Sequence, residues 1–323
     1  MYSEIKLDKT MYNLTGKSFM NVLTELDPDD EYIGTSLENT DAFTRQLKRF
    51  NIITSGQDCS TVEKFFETSE SAVLFPEFVR RAVIDGMKMS KFSEIIAAYT
   101  KVNDIIQSGV EVDDSTPYNG IVAQTAELPA TVIKASGNMI TLSKYGRQIK
   151  TSYEFIRRQR LDVFTILLKD VGKKFAGTLF SQAVSVAKTG VTVTETETSE
   201  ISYADLVRLY GEFADYDMTT LVVSPATMAK IMVLDEIKDM KLTDDGKVFL
   251  PFGVELVKFN GIGDNLLMGL DKNFALEMFI FGDIVFETDK LINQQMDIIA
   301  FTVNCAFKRL SLNSVKTLNV IED

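Results

Sequence analysis

The chain has 323 residues, of which 45% are hydrophobic and 25% charged, and its formal net charge is −12. These values are ordinary for a folded protein with sizeable cores, and the acidic balance argues against non-specific nucleic-acid binding over the whole surface. The absence of histidine excludes Ser-His-Asp and Cys-His nucleophiles and His-ligated metal sites. No apolar run reaches the ~18 residues of a membrane helix, and Cys59 and Cys305 are interpreted as two buried free thiols.

The first 70 residues are the most acidic part of the chain, with thirteen Asp and Glu against seven Lys and Arg. Apolar residues at three- and four-residue spacing predict two short amphipathic helices there, at 16–26 and 39–50. The apolar faces consist of Phe19, Val22, Leu23 and Leu26 in the first helix and of Phe43, Leu47 and Phe50 in the second. We interpret residues 1–70 as a small helical module of low contact density.

The next region changes from helix to strand. A helix is predicted to open with Pro76 at a favoured first position and to end at Gly86. Extended or mixed structure with a turn at Ser108–Gly109 follows. Residues 118–150 are interpreted as a β-hairpin with a long tip around Glu127–Pro129, followed by a turn at Gly137–Asn138 and by strict alternation from Ile140 onward. Such a hairpin is marginal alone in water, so if it projects from its domain, a neighbouring copy must cover it.

Residues 151–188 are the stretch around which the chain is organised. They lack proline and place apolar residues three or four apart, which predicts one long helix with Thr151 and Ser152 as N-cap candidates. At ~1.5 Å per residue the helix spans roughly 55 Å, which suits a central helix, here called the spine, against which other elements pack. Its apolar stripe comprises Tyr153, Ile156, Phe164, Leu168, Val171, Phe175 and Leu179.

The same stretch is basic in an acidic chain, with seven Lys and Arg against three Asp and Glu. A core helix with a solvated basic face explains most of this pattern. The alternative is that the basic face meets an acidic partner, either another copy of the chain or a polyanion.

An α/β-like passage follows the spine. Val191–Glu200 alternates Thr and Glu and is predicted to be a surface strand or connector. Residues 202–217 predict an amphipathic helix, and 221–223 a buried strand. The next helix is expected to open with Ser224 as N-cap and Pro225 at the first helical position.

The C-terminal region predicts two apolar strands, 284–287 and 297–306, which flank a polar tip at 288–293. Both these strands and the base of the earlier hairpin need a sheet to join. The simplest arrangement places them in one sheet packed on the spine helix.

The order of these parts resembles a tailed-bacteriophage major capsid protein. The resemblance rests on a helix opening with Leu74–Glu77, a hairpin carrying Ala126–Pro129, the spine helix, a Val-Ser-Pro strand-to-helix turn and the terminal passage FGDIVFETDKLINQQMDIIAF. It covers roughly residues 71–323. It implies an α+β, Hong Kong 97-type capsid fold, also shared by encapsulins, with a long spine helix, an extended β-hairpin loop, and peripheral and axial domains.

The resemblance also implies a domain organisation. The expected parts are the N-terminal helical module 1–70, an N-terminal arm 71–112, the extended hairpin loop 113–150, the spine helix 151–190 of the peripheral domain, the axial domain 191–283, and the C-terminal strands 284–323 of the peripheral domain. Some family members carry a scaffolding segment, later removed, where residues 1–70 stand here. We expect these residues to be a retained folded module, facing inward by analogy with scaffolding segments.

Subunit-interface residues follow from the resemblance as well. They are Glu127, Leu128 and Pro129 in the hairpin loop, Arg157, Arg158 and Arg160 on the spine, and Asp289, Lys290 and Asn293 in the terminal loop. Certain relatives join subunits through a Lys–Asn isopeptide bond. Lys134 or Lys144 with Asn293 are the candidates by position, although no glutamate follows Asn293 closely in this sequence.

The implied function is structural and not enzymatic. The chain is expected to self-assemble through hexamers and pentamers into an icosahedral shell that encloses double-stranded DNA. Expected partners are itself, a portal protein, and scaffolding or decoration proteins, with no cofactor, metal or membrane. The expected location is a virion capsid assembled in the host bacterial cytoplasm.

Two alternatives stay open from the sequence. The first is an encapsulin-like compartment that holds an enzyme cargo, since its fold would be the same. The second is a cytosolic α/β enzyme that uses residues 201–283. Its candidate acids, Asp205, Asp235, Glu236 and Asp239, have the spacing of solvated helix faces.

Overall fold

The structure is a computed structural model and describes residues 5–12, 17–113, 122, 124, 128, 132–238, 246–291 and 296–322. Helices and sheets are both present, which confirms the predicted α+β class. The α-helices are α1 (Phe19–Leu26), α2 (Ala42–Arg49), α3 (Phe75–Lys88), α4 (Tyr153–Arg158), α5 (Leu161–Lys188), α6 (Tyr203–Gly211) and α7 (Pro225–Met232). The strands are β1 (Ala98–Val102), β2 (Ile106–Asp113), β3 (Val132–Thr141), β4 (Ser143–Ser152), β5 (Val193–Glu195), β6 (Thr220–Val223), β7 (Val248–Phe249), β8 (Glu255–Lys258), β9 (Leu266–Leu270), β10 (Leu276–Leu291), β11 (Met296–Arg309) and β12 (Val315–Asn319).

The chain divides into two compact units. Unit 1 consists of Met1–Ser90, Gly146–Ala176 and Val285–Thr302, and unit 2 of Lys91–Tyr145, Gly177–Ile284 and Val303–Asp323. Four elements, α5, β4, β10 and β11, contribute residues to both units.

The N-terminal module is part of unit 1, and its two predicted helices are present as α1 and α2. Their predicted apolar faces are buried except at two positions, because Leu26 is exposed and Phe50 is half-buried. Ser18 caps α1 and Asp41 caps α2, each accepting a hydrogen bond from a backbone N–H of the first turn.

A fully buried ion pair lies at the centre of this module. The Arg45 guanidinium donates from Nε to Asp27 Oδ2 at 3.1 Å and from Nη1 to Asp29 Oδ1 at 2.8 Å. Asp27 also accepts from Tyr32 Oη at 2.6 Å and from Gln46 Nε2 at 3.2 Å. Because each buried polar group has partners, the pair can stay ionised out of water. The module is therefore folded around a buried polar centre, and its low contact density stays a prediction.

The predicted single helix over 151–188 is also wrong at its start. Ser152 ends β4 and caps α4, and Gln159 is extended, with φ −73° and ψ 141°, between α4 and α5. The break has a tertiary cause, because the Gln159 carbonyl accepts a hydrogen bond from the Val62 N–H at 2.9 Å. The long helix α5 therefore begins at Leu161, and its 28 residues span roughly 42 Å.

Residues 56–62, here called the capping segment, satisfy the first N–H groups of α5. The Leu161 N–H donates to the Ser60 carbonyl at 2.9 Å, and the Asp162 N–H donates to Cys59 Sγ at 3.3 Å. A helix leaves its first N–H groups without intrahelical partners, and here a segment about a hundred residues earlier supplies the acceptors. Cys59 is therefore half-buried at this contact, not fully buried as predicted.

The helices α3 and α5 approach closely in unit 1 through a pair of glycines. A Cβ atom on Gly172 would lie 2.1 Å from the Val83 carbonyl oxygen, and one on Gly86 would lie 2.1 Å from the Lys169 carbonyl oxygen. Gly86 thus serves helix packing inside α3, which continues to Lys88, and does not end the helix as predicted. The first-turn position of Pro76 is confirmed.

The described strands of unit 2 include a six-stranded sheet in the order β5-β12-β9-β6-β8-β7. Its core contains the predicted strand residues Leu221, Val222 and Val223, which are fully buried. Ser224 Oγ accepts from the Thr227 N–H at 3.1 Å and Pro225 is the first residue of α7, so the predicted cap is confirmed. The Thr/Glu stretch forms the short edge strand β5.

A second sheet has the strand order β1-β10-β11-β4, so the predicted union of the hairpin base with the C-terminal strands is confirmed through β4 and β11. Both C-terminal strands are longer than predicted, since β10 continues to Leu291 and β11 reaches Arg309. Arg309 Nη1 donates to the Ala187 and Thr189 carbonyls at 2.7 and 2.8 Å. A cationic donor at these last carbonyls stabilises the end of α5.

The predicted hairpin over 118–150 has a different pairing in the structure. β3 pairs antiparallel with β2, which precedes it, and Gly137 and Asn138 lie inside β3 and not in a turn. The predicted turn at Ser108–Gly109 is instead a register shift in β2, between Ser108 and Val110. Period-two alternation indicated strands correctly but could not choose their partners.

Gly172→Ala is expected to destabilise the chain by about 2 kcal/mol, because the added methyl group meets the Val83 carbonyl and separates α3 from α5. Gly177→Ala is the control, since nothing lies within 4 Å of its Cβ position. It should instead stabilise α5 by up to about 1 kcal/mol. Guanidinium unfolding of dispersed subunits measures both values, and equal effects would contradict the close helix crossing.

The two thiols are expected to differ sharply in reactivity. Burial raises the pKa of the Cys305 thiol to about 12, which leaves about one part in ten thousand as thiolate at pH 8. A chromogenic disulfide reagent should therefore label one thiol per native chain, at the half-buried Cys59, and a second only after unfolding. Labelling of the Cys59→Ser variant in the native state would contradict this.

Candidate functional site

The strands β2 and β3 form a two-stranded ribbon, hydrogen-bonded to each other from Ile106–Thr141 to Asp113–Val132. Consecutive β3 residues at 133–135 and 137–139 are all exposed. Successive side chains of a strand point to opposite faces, so both faces of this part of the ribbon meet solvent.

Large apolar side chains lie on this ribbon. Ile133 is 71% exposed and Met139 is 70% exposed, and Ile106 on β2 is exposed as well. An isolated two-stranded ribbon is marginally stable in water and needs a surface on which to bury an apolar face. The ribbon thus has the composition of a segment that another surface covers.

A second exposed apolar surface lies in unit 1, where α4 and the start of α5 border a groove of about 180 Å³. Phe155 is 59% exposed, and Leu167 of the same groove is exposed, as is Ile166 on α5. The apolar lining of the groove comprises Ile149, Phe155, Ile156, Phe164, Leu167, Leu168 and Val171. The predicted apolar stripe of the spine faces the core as expected at Ile156, Phe164, Leu168, Phe175 and Leu179. Phe155, Ile166 and Leu167 were not part of the predicted stripe, although the groove shares Ile156, Phe164, Leu168 and Val171 with it.

The three predicted interface arginines have different surroundings. Arg160 is engaged within its own chain, since Nη2 donates to Asp162 Oδ2 at 2.8 Å and to the Gly56 carbonyl at 3.0 Å. The Arg157 guanidinium lies 5.5 Å from the centre of the Phe66 ring, and its Nε is buried without a described partner. Arg158 is exposed. Arg158 thus has the most accessible charge of the three.

The other predicted interface residues are only partly within the described residues. Leu128 is exposed, and Asp289 is exposed on β10. Lys290 lies in β10. Glu127, Pro129 and Asn293 fall outside the described residues, and with Asn293 so does the predicted isopeptide partner of the exposed Lys134 or Lys144. The interface role of all these residues stays a prediction.

The acids considered for an enzyme have structural surroundings in unit 2. Asp205 forms a capping box with Ser202 at the start of α6 and pairs with Arg208 at 3.1 Å. Asp235 pairs with Lys238 at 2.7 Å, and Glu236 is exposed. Asp239 lies outside the described residues. Helix capping and surface pairing account for these carboxylates.

Comparison with known proteins decides the family. A sequence model of the phage capsid protein family matches residues 137–307, more than half of the chain. The chain belongs to the phage capsid protein family. It is therefore a structural protein of a capsid shell. No curated protein matches it.

Solved structures share the fold of this phage capsid protein at low sequence identity. The virus-like particle from Pyrococcus furiosus is 11% identical over 75% of this chain and 98% of that one, with a TM-score of 0.53. The structure described as Microbacterium phage Oxtober96 is 13% identical over 72% and 91%, with a TM-score of 0.53. The holo-SrpI encapsulin complex from Synechococcus elongatus is 10% identical over 70% and 85%, with a TM-score of 0.52. These similarities confirm the predicted Hong Kong 97-type fold.

Among the described residues of the capsid protein, no helix combines the length and the apolar character needed to cross a membrane.

Met139→Asp is expected to leave the unfolding free energy of the dispersed subunit within about 0.5 kcal/mol of wild type, because the side chain is exposed there. Assembly of the same variant should fail, because a carboxylate on the ribbon would be desolvated in a subunit contact. Met139→Leu retains the apolar surface and should assemble. Light scattering at matched protein concentration measures assembly, and normal assembly of Met139→Asp would exclude Met139 from any contact.

Proposed function

We propose that this protein is the major capsid protein of a tailed bacteriophage or prophage. It assembles through hexamers and pentamers into an icosahedral shell that encloses double-stranded DNA. The observation that carries the proposal is the ribbon β2–β3, whose exposed apolar residues need covering by a neighbouring copy. The expected site of assembly is the host bacterial cytoplasm, and the product is a virion capsid.

Assembly is driven by the surface that is buried in many weak contacts between copies across a lattice. A single copy contributes the ribbon, the apolar surface around Phe155 and the exposed charge of Arg158. Each contact is weak, but every copy in a closed shell makes the same set with its neighbours, so the free energies add around the lattice. Leu128 and Asp289 are proposed to lie in such contacts too.

The domain roles are proposed from the family. Residues 71–112 serve as the arm, 113–150 as the extended loop, 191–283 as the axial domain, and 151–190 with 284–323 as the peripheral domain. Residues 1–70 are a retained module, in keeping with the buried Arg45 network and with the hydrogen bonds of the capping segment to α5. A portal protein and scaffolding or decoration proteins are the further partners.

An encapsulin-like compartment is the second candidate. The observation in its favour is that the encapsulin complex matches the fold with a TM-score similar to that of the phage structure. The two functions differ in content, because one shell holds nucleic acid and the other a protein cargo.

Electron microscopy and nuclease-protected nucleic acid in particles from the native source test the proposal. Closed icosahedral particles containing double-stranded DNA are expected. Closed particles filled with protein cargo would favour the encapsulin, and a discrete small oligomer would overturn both.

A denaturing gel of the same particles checks two further points. A band at the full chain mass indicates retention of residues 1–70. A ladder of bands at multiples of the chain mass would indicate an isopeptide bond between chains.

A further inference from the structure

An acidic segment of the N-terminal module carries an exposed apolar side chain. Residues 25–38, here called the knob, include six Asp and Glu and no Lys or Arg. Glu25, Asp27 and Asp29 pair with Lys17 and Arg45 of the same module, whereas Asp30 and Glu31 are exposed beside Ile33. Ile33 in the knob is 69% exposed, and Leu26 is exposed as well. An exposed Ile within a run of acids is unusual for a solvated loop, because the acids would suffice for solubility.

The Ile33 side chain is held at the corner of a defined turn. Ile33 has φ −57° and ψ 129°, Gly34 has φ +77°, and the Thr35 N–H donates to the Tyr32 carbonyl at 3.0 Å. These are the values of a type II turn, in which the second central residue needs a positive φ. The Gly34 N–H also donates to Glu38 Oε2 at 3.0 Å.

The turn is anchored to the buried ion pair of the module. Tyr32, immediately before Ile33, is buried and donates its hydroxyl to Asp27, the partner of Arg45. The Arg45 guanidinium also lies 4.2 Å from the centre of the Tyr32 ring. The knob is therefore built rigidly on its module, and a rigid projection loses little conformational entropy when it binds.

The groove beside α4 and α5 is complementary to the knob in apolar character and charge. It is an apolar cleft with Phe155 and Leu167 in its wall and Lys150 at its edge. Residues 146–160, which lead into it within unit 1, carry five Lys and Arg against the single acid Glu154, so they have a local charge of +4 in a chain of −12. An apolar centre with a cationic surround matches an apolar Ile with an acidic surround.

We propose that the knob of one copy docks into the groove of a second copy, with Ile33 inserted beside Phe155 and Leu167. The acids Asp30 and Glu31 then face Lys150 and Arg158. This inference rests on the proposed shell, and it names a contact that residues 1–70 make within it. The N-terminal module thereby acts as a connector between copies.

The chemistry of the groove favours a second copy over nucleic acid as its occupant. A phosphate backbone would satisfy the cationic residues but would leave Phe155 and Leu167 in water. A protein knob with one apolar residue and several acids covers both kinds of surface. Each copy of the chain carries one knob and one groove, so their numbers match in any closed shell.

Disulfide trapping between two populations of the full chain tests the contact. Both populations carry Cys59→Ser, which keeps a hydrogen-bond acceptor for the Asp162 N–H, and retain the buried Cys305. One adds Ile33→Cys and the other Leu167→Cys. Oxidation of co-assembled particles should give a 33–167 disulfide between chains, identified by mass spectrometry, in a band of twice the chain mass.

The trapping experiment separates this inference from the proposed function. Closed particles without the 33–167 disulfide would overturn the docking and leave the shell intact. A disulfide between Met139→Cys and Leu167→Cys would place the ribbon of a neighbour in the groove and would also overturn it. Absence of particles from the uncross-linked wild-type chain would overturn the shell and this contact together.

A matched pair of substitutions provides a second measurement. Ile33→Ser should raise the protein concentration needed for assembly by about tenfold, because one buried apolar contact per copy is lost. Ile53→Ser is the control, since Ile53 is 46% exposed on the same module but lies outside the knob. Equal effects of the two substitutions would overturn the docking.

Charge reversal distinguishes a protein occupant from nucleic acid. Lys150→Glu with Arg158→Glu should weaken assembly, and Asp30→Lys with Glu31→Lys in the same chain should restore it. If the first pair lowers the nucleic-acid content of the particles and leaves assembly unchanged, the cationic surface binds nucleic acid and the docking is overturned.

Discussion

A two-stranded ribbon cannot cover its own apolar side chains, and this constraint governs the capsid protein. The described part of β3 exposes side chains on both faces, including Ile133 and Met139, while its backbone bonds are satisfied by β2 alone. Hydrogen bonding within the ribbon fixes its strand register but supplies little net stability. Ile140 of β3 packs against a hydrophobic cluster of its own chain, but Ile133 and Met139 are stabilised only when a further surface excludes water from them. Contact with a second copy would therefore bury the apolar side chains that the ribbon leaves exposed.

The long helix α5 is completed at both ends by other segments of the chain. Its first N–H groups are satisfied by Ser60 and Cys59, and its last carbonyls by Arg309, so both ends depend on residues remote in sequence. The glycine pair Gly86 and Gly172 lets α3 approach it closely in unit 1. The N-terminal residues are consequently an integral part of the structure at the start of α5. This role explains why they form a folded module with a buried ion pair instead of a loose acidic tail.

Sequence periodicity predicted the elements whose partners are local and missed those set by tertiary contacts. The cap of α7 at Ser224 and the buried stripe of α5 follow from short-range chemistry, and both are confirmed. The break at Gln159 could not be predicted, because its cause is the Val62 N–H. Likewise, alternation identified β3 but not its pairing with β2. Of the candidate surfaces, an exposed strand segment within 118–150 was foreseen, although its partner was not. The groove at Phe155 was not foreseen, because periodicity does not show that part of an apolar stripe stays open to solvent.

Hydrogen exchange of the ribbon amides tests the central claim most directly. Backbone amides of β2 and β3 should exchange rapidly in dispersed subunits and slowly in assembled particles, while those of the β6 core stay slow in both. Protection of the ribbon that is already complete in dispersed subunits would contradict the account, because the ribbon would then be stabilised by its own chain.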